Sequence, residues 1–372
     1  RPAISIRNTG SWTFGSPSVL MMFHRKSGTL NAELAAMNEC MPHYYRITQG
    51  HGQGAELLMN AEAAFMQGNF SDAQILLEQT YSTIASNGQH NISLCCDFLA
   101  ARLSLFQDGV TFVKNPEVKR KELLSLHNMM WLNIFDSTYA YYYALIRMPE
   151  KIPALFKDHM LSTVSFLSPC RPMMEMIENQ VFLSQKMYAK VIGRSETLLP
   201  VCEKMHYELV SLHIQIQTAS AYAMLGKHHD ARQLLQKALG KAMPDGFLIP
   251  FVENYNYIKD VLNSINSITP EPFTDRILSL GSVYEQHCLR LSSHNSRPEI
   301  LNVLNSREAE IAALITDRLS NREIAERLFL SEGTVKQYIN QIYSKLMING
   351  DTRTKRKQLA ELISSINSGS EV

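Results

Sequence analysis

Two stretches of this chain repeat one apolar pattern about a glycine. They are "NAEAAFMQGNFSDAQILLEQT" around Gly68 and "ASAYAMLGKHHDARQLLQKAL" around Gly226. In the first, Ala61, Ala64, Gly68, Phe70, Ala73, Leu77 and Thr80 mark the pattern; in the second, Ala219, Tyr222, Gly226, Ala231, Leu235 and Ala238 do. Spacings of three and four place these residues on single faces of two helices. Small residues at the crossing allow the paired helices to approach closely, and the glycine closes the turn with a φ that other residues resist. Leu234, Leu235, Ala238 and Ala242 keep the same rhythm, and β-branched alternation is almost absent. The fold class this dictates is all-α.

The two copies resemble tetratricopeptide hairpins. A weaker third copy, "QKMYAKVIGRSETLLPVCEKM", sets Gly193 one repeat length, 33 residues, before Gly226. Stacked hairpins form a solenoid whose inner surface suits binding. The expected organisation is a lead-in over 1–50, a helical-repeat domain over 51–291, a polar linker over 292–298 ("SSHNSRP") and a terminal domain over 299–372.

A net charge of +1 leaves any anionic partner to local patches rather than to the field of the whole molecule. Cys40, Cys95, Cys96, Cys170, Cys202 and Cys288 show no C-x-x-C or Cys/His ligand spacing, so reduced thiols, a cytoplasmic location and no metal are expected. No apolar run approaches the ~18 residues of a membrane span. The start, "RPAISIRNTG", has no signal-peptide pattern and no Met, and is read as following an upstream segment of a longer polypeptide.

The stretch "LNSREAEIAALITDRLSNREIAERLFLSEGTVKQYINQIYSKL" parses into three capped helices. Asn305 with Glu308 and Ser320 with Glu323 form capping boxes, and Ser331 is the third N-cap. Ile311, Leu314 and Ile315, then Ile324, Ala325 and Leu328, then Val335, Ile339, Ile342 and Leu346 supply the apolar stripes. Ala325 is a small residue where the second and third helices cross tightly. With the third stripe inward, Lys336, Gln337 and Asn340 point outward. These side-chain types hydrogen-bond guanine (Lys) and adenine (Gln, Asn) edges in a major groove. Ser331 and Thr334 sit at a helix N-terminus that suits a phosphate. "TRTKRKQ" adds Arg353, Lys355, Arg356 and Lys357 for a second stretch of backbone.

From Leu304 to Leu346 this segment resembles the LuxR-type DNA-binding domain, in "REAEI", "LSNREIAERLFLSEGTVK" and "IYSKL". The resemblance implies a helix-turn-helix that reads promoter DNA, with base contacts at Lys336, Gln337 and Asn340. It also implies backbone contacts at Ser320, Asn321, Ser331, Thr334, Tyr338 and Arg353. A fourth helix with Leu359, Leu362, Ile363 and Ile366 would support pairing of two copies on DNA. Two departures stand out. Tyr338 replaces the His of many members, and the loop "MINGDTRT" is about two residues longer than the common form.

The preceding region resembles the MalT-like branch, in "FGSPSVLMMFHRKSG", "GHGQGAELLMNAEAAFMQGNFSDA" and "PFVENYNYI". That resemblance implies a small-molecule inducer bound by the repeats, RNA polymerase as a further partner, and ATP only on an upstream module. This chain has no G-x-x-x-x-G-K-[ST] loop, because "MLGKHHDA" lacks the first Gly and the final hydroxyl, so no cofactor is expected here. Counting back from Gly193 and Gly226 places Gln180, Leu183 and Met187, then His213, Ile216 and Ser220, on the concave side, with Arg171 and Glu175 near. "STYAYYYALI" offers aromatic surface for a ring. No catalytic constellation appears, so an enzyme is not expected. The alternative is a tetratricopeptide adaptor that takes a peptide or protein in its groove, with the terminal module as a tether to DNA.

Overall fold

The computed structural model describes residues 13, 15–85, 89–107, 110, 116–164, 166–295, 304–316, 319–346, 348, 350–351 and 354–359. Among them there is no strand, and the fold is all-α. The chain divides into two compact units, Arg1–Leu289 and Arg290–Val372.

Among the described residues, the first helices of the larger unit are α1 (Val19–Phe23) and α2 (Leu30–Ile47). Hairpin α3 (Ala55–Met66) and α4 (Phe70–Ile84) follows, then α5 (His90–Leu103), α6 (Pro116–Ser125), α7 (Met129–Leu145) and the short α8 (Ala154–Lys157). Next come α9 (Arg171–Ser184), α10 (Tyr188–Met205), α11 (Glu208–Met224) and α12 (His228–Ala242). The set closes with α13 (Ile249–Val252), α14 (Tyr255–Ile268) and α15 (Pro272–Asn295). Sequence neighbours pair, α3 on α4 and α11 on both α10 and α12. That arrangement fits a tetratricopeptide-like repeat. Ala61, Ala73 and Thr80 in one hairpin, and Ala219, Ala231, Leu235 and Ala238 in the other, are fully enclosed at the crossings. Gly68 (φ +81°) and Gly226 (φ +74°) close the two turns in the left-handed region.

Gly193 does not close a turn. It lies inside α10, and the hairpin between α9 and α10 turns seven residues earlier, where Lys186 takes φ 60°. A glycine in a helix interior mimics the repeat signature without performing its role. Gly281 is the reverse case, carrying no repeat signature yet indispensable to packing. A Cβ there would sit 2.3 Å from the Tyr255 ring, so only glycine lets α15 close on α14. α15 itself runs to Asn295, so the first residues of the expected linker are helical, while Pro298 lies outside the described residues.

The core of this unit holds a charged pair. Arg102 on α5 donates from Nε and Nη2 to the two carboxylate oxygens of Glu253 (2.7 and 3.0 Å), and Tyr141 on α7 donates to the same carboxylate (2.8 Å). Phe65, Phe98 and Tyr141 ring the guanidinium at 5.0–5.6 Å. The bidentate geometry and the phenol satisfy charges that burial would otherwise penalise heavily.

Candidate nucleic-acid interface

The smaller unit contains α16 (Ser306–Thr316), α17 (Asn321–Leu328), α18 (Glu332–Lys345) and a helical segment over 354–359. Each start is fixed locally. Asn305 and Glu308 exchange backbone-to-side-chain bonds of 2.7 and 2.9 Å, and Ser320 with Glu323 forms the second capping box. Ser331 accepts from the Thr334 N–H at 3.0 Å. The corner between α17 and α18 is made by Phe329 in the left-handed region (φ 55°), with the N–H groups of Phe329 and Leu330 both donating to the Ala325 carbonyl.

One core holds the three helices: Ile311, Ala312, Leu314 and Ile315, then Ile324 and Ala325, then Val335, Ile339, Ile342 and Tyr343, closed by Leu346 and Leu359. Ala325, 4% exposed, occupies the tight crossing of α17 and α18. Leu328 is only partly buried, and Tyr343, absent from the expected stripe, completes the seal. With Val335, Ile339 and Ile342 inward, helical geometry sends Lys336, Gln337 and Asn340 outward, and all three are exposed.

The other residues that the sequence brings forward have definite roles in the structure. The Ser320 and Ser331 hydroxyls act as caps, and the Thr334 hydroxyl lies 2.8 Å from that of Ser331. Asn321 is held by Arg356, whose guanidinium also reaches the Leu319 carbonyl. Tyr338 packs partly against the core. Arg353, Leu362, Ile363 and Ile366 lie outside the described residues. Lys345 donates to the buried Glu308 at 2.7 Å. Burial opposes the charge of Glu308, but the Lys345 ammonium and the Asn305 N–H outweigh it and hold the carboxyl below its ordinary range. Ser320 does the same for the exposed Glu323. Sequence reasoning missed the Lys345 and Arg356 contacts because both join residues about 35 positions apart.

The residues placed on the concave side of the repeat lie in two settings. Arg171 and Glu175 pair near the surface at 2.8 Å, and Met187 caps α10, half-buried. Gln180, His213, Ile216 and Ser220 are enclosed where α9 meets α11. Gln180 accepts from Gln217 Nε2 (3.0 Å), and Ser220 donates to the Ile216 carbonyl (2.8 Å). Neither ring nitrogen of His213 has a partner, nor do Gln217 Oε1 and Asn179 Nδ2. Burial first, then the nearby Arg102, drives the His213 pKa well below its ordinary value, so the ring is neutral. Interior polar atoms of this kind are the usual positions of ordered water. A group of three or more His, Cys, Asp or Glu able to hold a metal is absent among the described residues, and none of their helices is long and apolar enough to cross a membrane.

The family match falls within the smaller unit. Residues 302–356 match the family described as bacterial regulatory proteins, luxR family. The transcriptional regulatory protein LnrK of Bacillus subtilis (strain 168) is 31% identical over 110 residues, which are 29% of this chain and 49% of that protein. The transcriptional regulatory protein DegU of Brevibacillus brevis is 43% identical over 53 residues, 14% of this chain and 22% of that protein. The chain therefore spans half or less of the length of these relatives. No solved structure matches.

Proposed function

We propose that this chain, whose terminal unit carries a luxR-family helix-turn-helix, is a transcriptional regulator that binds promoter DNA through α18 and answers to a small molecule bound by the Arg1–Leu289 unit. The observation that carries the DNA reading is the division of α18 into two faces. Val335, Ile339 and Ile342 anchor it, while Lys336, Gln337 and Asn340 stand in solvent. An exposed ammonium and two exposed amides near the start of a helix match the donor and acceptor edges of a major groove.

Backbone phosphates would be met at the two capped helix starts. N–H groups in the first turn of a helix lack partners within the helix and carry partial positive charge. At α18 the caps satisfy Thr334 but leave that turn open, and Gly333 presents no side chain to obstruct it; the nearest atom to a Cβ there would be Ser331 Oγ at 3.7 Å. Arg356 sets the start of α17 by gripping Asn321 and Leu319, so its part is to position that start.

The sensing role rests on the fit of the larger unit to a helical repeat and on its resemblance to the MalT-like branch. The test is selection of duplexes from a random pool by the full chain, followed by titration at several salt concentrations. A recurring sequence motif is expected, with affinity falling as salt rises. Selection that yields no motif, or binding indifferent to salt, would refute the DNA reading.

A further inference from the structure

A cleft of about 270 Å³ opens in the larger unit between α6, α7 and the turn leading into α8. It contains none of the residues that the sequence placed on the concave side. One wall is an aromatic ladder on a single face of α7: Phe135, Tyr139 and Tyr143, with successive ring centroids 4.8 and 6.1 Å apart. The facing surface is Ile152, Pro153 and Ala154, with Pro116 at the edge. The rings are tilted by 47° and 39° to one another, with Phe135 and Tyr139 buried and Tyr143 partly exposed. A slot between Tyr143 and a proline-bearing turn suits a flat ring, and this volume suits one small molecule rather than a nucleotide.

The polar lining is balanced in charge. Arg120 and Lys151 supply two cations, Asp136 and Glu117 two anions. Arg120 donates from Nε and Nη2 to both oxygens of Asp136, each at 2.9 Å. The Asp136 side chain is 3% exposed, whereas that of Arg120 is 36% exposed. Two of the five guanidinium N–H groups are thus committed to a buried carboxylate, and the rest of the fork faces outward as a rigid donor. Glu117 lies close enough to act on both Arg120 and the Tyr143 phenol. The lining therefore presents a donor fork, an ammonium, a carboxylate and an aromatic face, with no net charge. A purely anionic ligand would be set against Glu117 and a purely cationic one against Lys151.

We propose that this cleft binds a small zwitterionic aromatic molecule of the aromatic α-amino acid class. The ring lies against Tyr143, the one ring of the three with exposed surface, the carboxylate faces Arg120 and Lys151, and the ammonium faces Glu117. This deepens the sensor reading by giving the ligand a class and a place, but the binding itself does not depend on DNA.

The test is calorimetric titration of the full chain, without DNA, with L-phenylalanine, L-tyrosine and L-tryptophan. Phenethylamine and 3-phenylpropionate, each lacking one of the two charges of phenylalanine, are titrated beside them. Saturable binding of at least one amino acid is expected, with both single-charge analogues at least tenfold weaker than phenylalanine. Ala154→Phe, at an exposed lining position, should fill the slot and abolish binding with the melting temperature unchanged. Lys151→Gln should weaken the amino acid while leaving phenethylamine as it was. The proposal is overturned if none of the three amino acids binds, if either analogue matches phenylalanine, or if Ala154→Phe binds as well as the parent. Operator binding measured on the same preparation keeps this outcome separate from the DNA reading.

Discussion

The two units place their polar side chains in opposite ways. In the terminal unit the caps are satisfied within a turn, the core is apolar, and the distinctive side chains, Lys336, Gln337 and Asn340, point into solvent. In the larger unit polar groups are drawn inside. Arg102, Glu253, Tyr141, Glu62, Gln180, His213 and Gln217 are all buried. The contrast teaches where specificity resides. If the terminal unit docks on a groove as proposed, it keeps its chemistry on the surface, whereas the larger unit uses interior polar contacts to fix which helices pair across long stretches of chain.

The largest expected effect breaks that interior order. Arg102→Met strands the Glu253 carboxylate, and removing one partner of a buried pair costs about 3–5 kcal/mol. Urea unfolding of the larger unit should show this, while the double variant Arg102→Met with Glu253→Leu recovers much of it. A single-variant loss under about 1 kcal/mol would mean that the pair is not desolvated.

Next comes Glu62, whose Oε2 accepts from the Leu20 N–H at 2.6 Å. Burial raises its carboxyl from 4.5 to about 7, against smaller opposing contributions from the Leu20 N–H, Ser18 and Arg102. Between those two values the unfolded chain has lost the proton while the folded one retains it. Stability therefore falls as pH rises from 4.5 to about 7 and levels above. Glu62→Gln should flatten this part of the pH profile, a difference on the order of 3 kcal/mol between the ends of the window. Parallel profiles for the two proteins would contradict the assignment.

The terminal unit should respond more mildly. Glu308→Gln loses the N3 carboxylate and the partner of Lys345, costing about 1 kcal/mol. Because that carboxyl is held below its ordinary 4.5, its contribution is complete above that pH and disappears as pH falls through the lower folded value. The smallest effect belongs to Arg322→Ala. Arg322 and Glu326 are 77% and 66% exposed, so breaking their pair should change stability by less than about 0.5 kcal/mol. Melting curves of both variants check the pair of statements.

The same contrast governs how much was legible beforehand. Helix starts at Asn305, Ser320 and Ser331, the inward stripe of α18 and the glycine turns at 68 and 226 all follow from residues within one or two turns of each other. The structure adds what joins distant positions: Arg102 with Glu253, 151 residues apart, Lys345 with Glu308, and Arg356 with Asn321. Gly193 shows the limit of a repeat signature, because a spacing of one repeat length does not reveal which residue turns. Arg102 was detectable in principle, as a lone cation within the apolar run "CCDFLAARLSL". The α6–α7 cleft was half visible, in the tyrosines of "STYAYYYALI", but its facing turn was not.

The central claim is that α18 reads bases with its outward face, and base-specific discrimination tests it most directly. On a selected operator, Lys336→Ala and Asn340→Ala should each lose about 1–3 kcal/mol, with the loss for each variant shrinking toward zero once one particular base pair is changed. A uniform loss on every sequence, or none on any, would contradict the account.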